Sequence, residues 1–141
     1  NVRSFIDAMV LKDHALYDIK TCNDYKWQSI FGRYGSKEAP QNYAIQLGTY
    51  GLYFRENNIK INKMALLFYN KNNSRVKELK VPRNYIDVAE RYWLKVQELF
   101  KEGLPPVEQG LSPVEDWECN PKYCSFYEPC GGGIKGQLRK G

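Results

Sequence analysis

Apolar and polar positions along the chain divide it into short alternating runs and two longer helical stripes. "VRSFIDAMVL" and "HALYDIKT" alternate with a period of two, which predicts two strands joined by a tight turn around Lys12 and Asp13. Residues 22–40 carry Asn23, Gly32, Gly35, Ser36 and Pro40 among scattered charges, and read as a long loop with room for a short helical turn near Trp27 and Phe31. Tyr43, Leu47, Tyr50 and Phe54 then recur at helical spacing and "ENN" supplies a stop, so a helix is predicted over 41 to about 57. "KINKMALLFYN" and "RVKELKVP" flank "KNNS", whose residues tolerate unusual backbone angles, and make a second predicted hairpin. In "RNYIDVAERYWLKVQELFKEG", Tyr85, Val88, Ala89, Tyr92, Val96, Leu99 and Phe100 form one apolar stripe, ended by Gly103, Pro105 and Pro106. The expected fold class is α/β (α+β, mixed sheet), in the order β-β-α-β-β-α over residues 1–104. A Cys-bearing extension is expected over 105–130, and a Gly-rich basic tail, 131–141, is expected to be flexible.

The first hairpin has a register that can be worked out. With Lys12 and Asp13 at its turn, Asp7 faces Asp18 and Phe5 faces Lys20. Asp7, Asp18 and Lys20 then share one face, while Ile6, Ala8, Val10, Ala15, Tyr17 and Ile19 are expected to pack on the other. Two like charges facing each other destabilise a ladder unless something positive lies between them. A hard divalent cation supplies that charge, takes oxygen ligands from a few carboxylates and keeps several waters. The acid-x-Lys pattern alone carries little, because it also occurs at Asp24 with Lys26 and at Glu78 with Lys80. Only Asp18 has another acid across a tight hairpin. In the helix that follows, Gln46 and Tyr50 are four apart and lie on one face.

Composition narrows the classes. A chain of 141 residues, 43% hydrophobic and 14% aromatic, is the size of one domain and is too apolar to be disordered. Its net charge of +5 permits a polyanionic partner without requiring one. No apolar run approaches the roughly 20 residues that span a bilayer, and no charged-then-apolar leader opens the chain, so no membrane association and a cytoplasmic, intracellular location are expected. The chain opens at Asn1 directly on a strand-like pattern, which suggests that an upstream part of the natural protein is missing. Cys22 stands alone, whereas Cys119, Cys124 and Cys130 form Cys-x4-Cys-x5-Cys. Without a secretion signal, such a trio points to a metal or cluster before disulfides. Three thiolates need a fourth ligand, which for zinc is Cys or His and for a [4Fe–4S] cluster is Cys. His14 reads as a turn residue.

"IDA", "DIKT" and "QLGTY" together resemble the second half of a PD-(D/E)XK nuclease of the RecB type, whose pattern is an Asp, an acid-x-Lys-Thr and a Gln-x-x-x-Tyr. The motifs cover roughly residues 3 to 55. The resemblance implies a restriction-endonuclease-like core and a DNA nuclease, with exonuclease action somewhat favoured, either alone or within a larger DNA-processing complex. It implies Asp7 and Asp18 as ligands of Mg²⁺ or Mn²⁺, with the Ile19 carbonyl as a further ligand. Lys20 is implied as the catalytic lysine, and Gln46 and Tyr50 as residues that help bind DNA. An upstream helix bearing an acid or His is expected before Asn1. In a subset of these nucleases, including a CRISPR-associated one, a C-terminal Cys trio joins an upstream Cys to hold an iron-sulfur cluster. Cys119, Cys124 and Cys130 resemble that trio, with the fourth ligand in the missing segment or, as second choice, Cys22. Zn²⁺ is the alternative to [4Fe–4S]. Two other functions fit the residues: a nuclease-like scaffold that binds nucleic acid or protein without cutting, and a Cys-stapled interaction module presenting Tyr92, Trp93 and Trp117.

Overall fold

The computed structural model describes residues 4–102, 120–125 and 127. Four strands, β1 (Ala8–Val10), β2 (Ala15–Cys22), β3 (Lys63–Asn70) and β4 (Val76–Val81), form one sheet in the order β1-β2-β3-β4. The outer pairs are antiparallel hairpins, and β2 runs parallel to β3. A parallel neighbour cannot be reached by a tight turn. The chain therefore crosses from β2 to β3 through α1 (Asp24–Phe31) and α2 (Gln41–Glu56), and α3 (Tyr85–Glu102) follows β4. The described residues thus form a mixed α/β structure.

The element order contains one helix more than the pattern predicts. Where the pattern leaves room for a short helical turn near Trp27 and Phe31, Asp24–Phe31 form a full helix capped by Asn23, whose side chain accepts the Lys26 N–H at 2.9 Å. Trp27 and Ile30, one turn apart, are the buried positions of α1. In the first hairpin β1 is only three residues long. A 3-10 turn at Leu11–Asp13 and a left-handed His14 (φ 50°) connect it to β2. Ala8 pairs with Tyr17 and Val10 with Ala15, the register expected of a turn centred on Lys12 and Asp13.

The covered face of the sheet is a correction to the sequence reading. Ile6, Ala8, Val10, Ala15, Tyr17 and Ile19 were expected to form the packed side, yet Val10 is 41% and Ile19 48% exposed, and Ala15 is the one of the six that is fully buried. The core lies instead on the face that carries Asp18 and Lys20. Leu16, Met64, Leu66, Phe68, Leu79 and Val81 pack there with Ala44, Leu47, Tyr50 and Phe54 of α2. The cause is the crossover: α2 must cover one side of the parallel pair, and β2 carries apolar residues on both sides, with Leu16 and Cys22 flanking the charged positions.

α2 also meets the first turns of α3 closely. A Cβ on Gly48 would overlap the Tyr85 carbonyl oxygen, and one on Gly51 would lie 2.8 Å from Ile86 Cγ1. The two glycines therefore serve helix packing. Ile86, outside the predicted stripe of α3, is buried, whereas Phe100 is 84% exposed. Phe100 follows the fully buried Leu99, and neighbouring positions on a helix point about 100° apart.

The chain forms two compact units, one ending at Glu90 and one beginning at Arg91. In the second, the Tyr92 and Trp93 rings meet edge to face at 5.3 Å, and the amides of Tyr123 and Cys124 both bond to the Asn120 carbonyl. Among the described residues no helix is long and apolar enough to cross a membrane.

Candidate active site

Asp18 and Lys20 alternate with Tyr17 and Ile19 along β2, so both point to the side covered by α2. Gln46 and Tyr50, one helical turn apart, point back at them. Lys20 Nζ lies 2.8 Å from Asp18 Oδ2 and donates to Gln46 Oε1 at 2.7 Å. Gln46 Nε2 in turn donates to the Tyr50 hydroxyl at 2.7 Å. Only this amide orientation is consistent, since an ammonium has no lone pair to accept from Nε2. Asp7 sits just before β1, where the ladder has ended, and its Oδ2 accepts the Ile19 N–H at 2.7 Å. A side chain thus takes the place of the missing strand neighbour. The five side chains singled out in "IDA", "DIKT" and "QLGTY", namely Asp7, Asp18, Lys20, Gln46 and Tyr50, gather at this end of β2. Ile19 contributes its amide to the cluster and exposes its side chain.

Asp18 is the electrostatic centre of the cluster. It is 2% exposed, and burial raises its carboxyl pKa above the usual 3.8. Lys20 opposes that rise, while the neighbouring Asp7 carboxylate adds to it. The Lys20 contact satisfies charge but not direction. Although Nζ is 2.8 Å from Oδ2, its angle is not that of a hydrogen bond, and Oδ2 is a buried oxygen left without one. The short distance is an ion contact, because Coulomb attraction needs no alignment. Burial also holds the Tyr50 phenol above its ordinary range, and the charges on Asp18 and Asp7 act in the same sense, so Tyr50 stays protonated at neutral pH.

The residues present fit a hard divalent cation. Two adjacent carboxylates, one with a buried oxygen lacking a directed donor, are the donor type that Mg²⁺ and Mn²⁺ use together with water. Among the described residues no third Asp, Glu, His or Cys joins them.

The other two acid-x-Lys pairs have structural partners. Asp24 accepts from Asn70 Nδ2 at 2.7 Å and Asn73 Nδ2 at 3.1 Å, tying α1 to the turn after β3. Glu78 accepts from Lys63 at 2.7 Å, a bond that pushes the Lys63 ammonium up to about 12. Cys22 packs in the core beside Trp27 and Phe68; burial, and secondarily Asp24, raises its thiol pKa and disfavours the thiolate a cluster ligand requires. Of the Cys trio, Cys124 is half-buried with a free thiol, whereas Cys119 and Cys130 lie outside the described residues. Trp117 also lies outside them.

One residue escaped the sequence reading. The Tyr43 ring lies 4.6 Å from Lys20 Nζ, completing a pocket of Asp18, Gln46 and Tyr43 around the ammonium. Its spacing of three from Gln46 was the available signal. A cleft of about 420 Å³, lined by Arg55, Ile59, Ile61, Arg83 and Asp87, contains none of these groups. Comparison of the chain with protein-family models, with curated proteins and with solved structures finds no match.

Proposed function

We propose that the chain is a metal-dependent DNA nuclease of the RecB-like PD-(D/E)XK class, with a restriction-endonuclease-like core, and that it hydrolyses phosphodiester bonds by exonuclease action. The observation that carries this reading is the unbroken contact from Asp18 through Lys20 and Gln46 to Tyr50, with Asp7 beside Asp18. Residues that belong to three separated motifs in the sequence meet at one point in space.

Asp7, Asp18 and the Ile19 carbonyl would hold Mg²⁺ or Mn²⁺, which would supply positive charge to polarise a phosphodiester and ease deprotonation of a water. The remaining work falls to side chains. Gln46, fixed by Tyr50, holds the Lys20 ammonium in place, so its donors can offset charge that develops on the phosphate in the transition state. The Tyr43 ring and the cover of α2 limit water around that ammonium and strengthen its field.

A specific contact favours a second reading, a scaffold that binds nucleic acid without cutting it. Asp7 Oδ2 is engaged by the Ile19 amide, a structural use of one proposed ligand oxygen. A carboxylate retains further lone pairs when one oxygen accepts a single bond, so this contact leaves Asp7 able to serve as a ligand. The test is Lys20→Ala. Cleavage of end-labelled DNA in Mg²⁺ should fall at least about a hundredfold, with the circular dichroism spectrum unchanged. Undiminished cutting by a folded variant removes the assignment, and a wild-type protein that binds DNA but never cuts it establishes the scaffold.

A further inference from the structure

Cross-strand register places three side chains in one row on the face covered by α2: Lys20 on β2, Phe68 on β3 and Lys77 on β4. Facing residues of neighbouring strands project to the same side. Contacts agree with this placement. The Tyr43 ring is 6.3 Å from Phe68 and beneath Lys20 Nζ, and the Phe31 ring is 5.5 Å from Phe68 and 5.0 Å from Lys77 Nζ. Two ammonium groups are therefore each seated on an aromatic ring, and both rings rest on one fully buried phenylalanine. Two strand spacings separate the backbone positions of the lysines by roughly 10 Å.

The two lysines differ in what surrounds them. Lys20 is occupied by Asp18 and Gln46. Lys77 is exposed, and among the described residues no carboxylate pairs with it. A cation held on a ring without an acid partner keeps its charge available and has already lost part of its side-chain freedom.

We propose that Lys77 binds a backbone phosphate of a DNA strand whose reacting phosphodiester lies at Lys20, so that the Lys20-Phe68-Lys77 row fixes how far along the strand the site is set. This rests on the nuclease reading for the position of the reacting bond. A span of roughly 10 Å corresponds to two or three nucleotides of a strand rising about 3.4 Å each. Phosphate contacts of this kind position a strand without reading its bases, so Lys77 contributes register and affinity but no sequence preference.

Lys80 provides a matched control, because it lies on the same strand with the opposite face and is also exposed. Binding of a short fluorescein-labelled single-stranded DNA is measured in EDTA across a salt series for wild type, Lys77→Met, Lys77→Arg and Lys80→Met. Thermal midpoints confirm that each variant folds. Lys77→Met should weaken binding several-fold at low salt and reduce the slope of log affinity against log salt by about 0.7, the value for one lost phosphate contact on a single strand. Lys77→Arg should restore both, and Lys80→Met should match wild type. Equal affinity and slope for Lys77→Met and Lys80→Met overturn the proposal, as does absence of DNA binding by the wild type. Because no metal is present, failure of the nuclease reading is seen separately: cleavage that ignores Lys20→Ala removes that reading even if the Lys77 slope effect holds. With Mg²⁺ present, Lys77→Met should raise KM for the oligonucleotide far more than it lowers kcat.

Discussion

Asp18 combines burial, a like-charged neighbour and an ammonium at contact distance, and this sets how its stability contribution varies with pH. Its raised carboxyl pKa means that the folded chain holds the proton more tightly than the unfolded chain. That contribution is fully present below the ordinary 3.8 and is lost as pH rises through the raised value. In EDTA, wild type should therefore lose stability relative to Asp18→Asn as pH rises from about 4 through the raised value, at about 1.4 kcal/mol per tenfold change in proton affinity. Urea unfolding at a series of pH values checks it, and parallel curves for the two proteins would contradict it. The presence of Asp18 in the site was legible from its pairing with Asp7 across a tight turn. Its burial was not, because a period of two separates the faces of a strand without saying which one a helix covers.

Among the elements, α2 has the most to accommodate, since it covers the sheet, carries Gln46 and Tyr50, and crosses the start of α3. Its extent was readable from Tyr43, Leu47, Tyr50 and Phe54, and its end from "ENN". The role of its glycines was not, because helical spacing says nothing about how near another backbone comes. Gly48→Ala sets a methyl group against the Tyr85 carbonyl, a backbone atom with little room to move. Overpacking of this kind costs about 1–3 kcal/mol, and the gain in helix propensity of up to about 1 kcal/mol offsets only part of it. Gly51→Ala meets the flexible Ile86 side chain and should cost less. Urea midpoints of the two variants test this order. α1 was legible only as a short helical turn, because Gly32, Gly35, Ser36 and Pro40 follow it closely; the Asn23 cap together with buried Trp27 and Ile30 makes it eight residues long.

At the scale of the whole molecule, the candidate site is assembled from distant parts of the chain and is only as secure as the least anchored of them. Lys20 and Gln46 belong to the parallel pair and to the helix covering it, which share the fully buried core. Asp7 immediately precedes an edge strand of three residues that has a neighbour on one side only. Such elements open at a free energy well below that of global unfolding. Opening of β1 would carry one acid away while leaving the lysine and its helix in place. The Asp7 bond to the Ile19 amide gives this event its own clock: that single amide should exchange with solvent sooner than its β2 neighbours bonded to β3, and Mg²⁺ should slow it. Hydrogen exchange followed residue by residue would time the joining and parting of the acid pair without any substrate present.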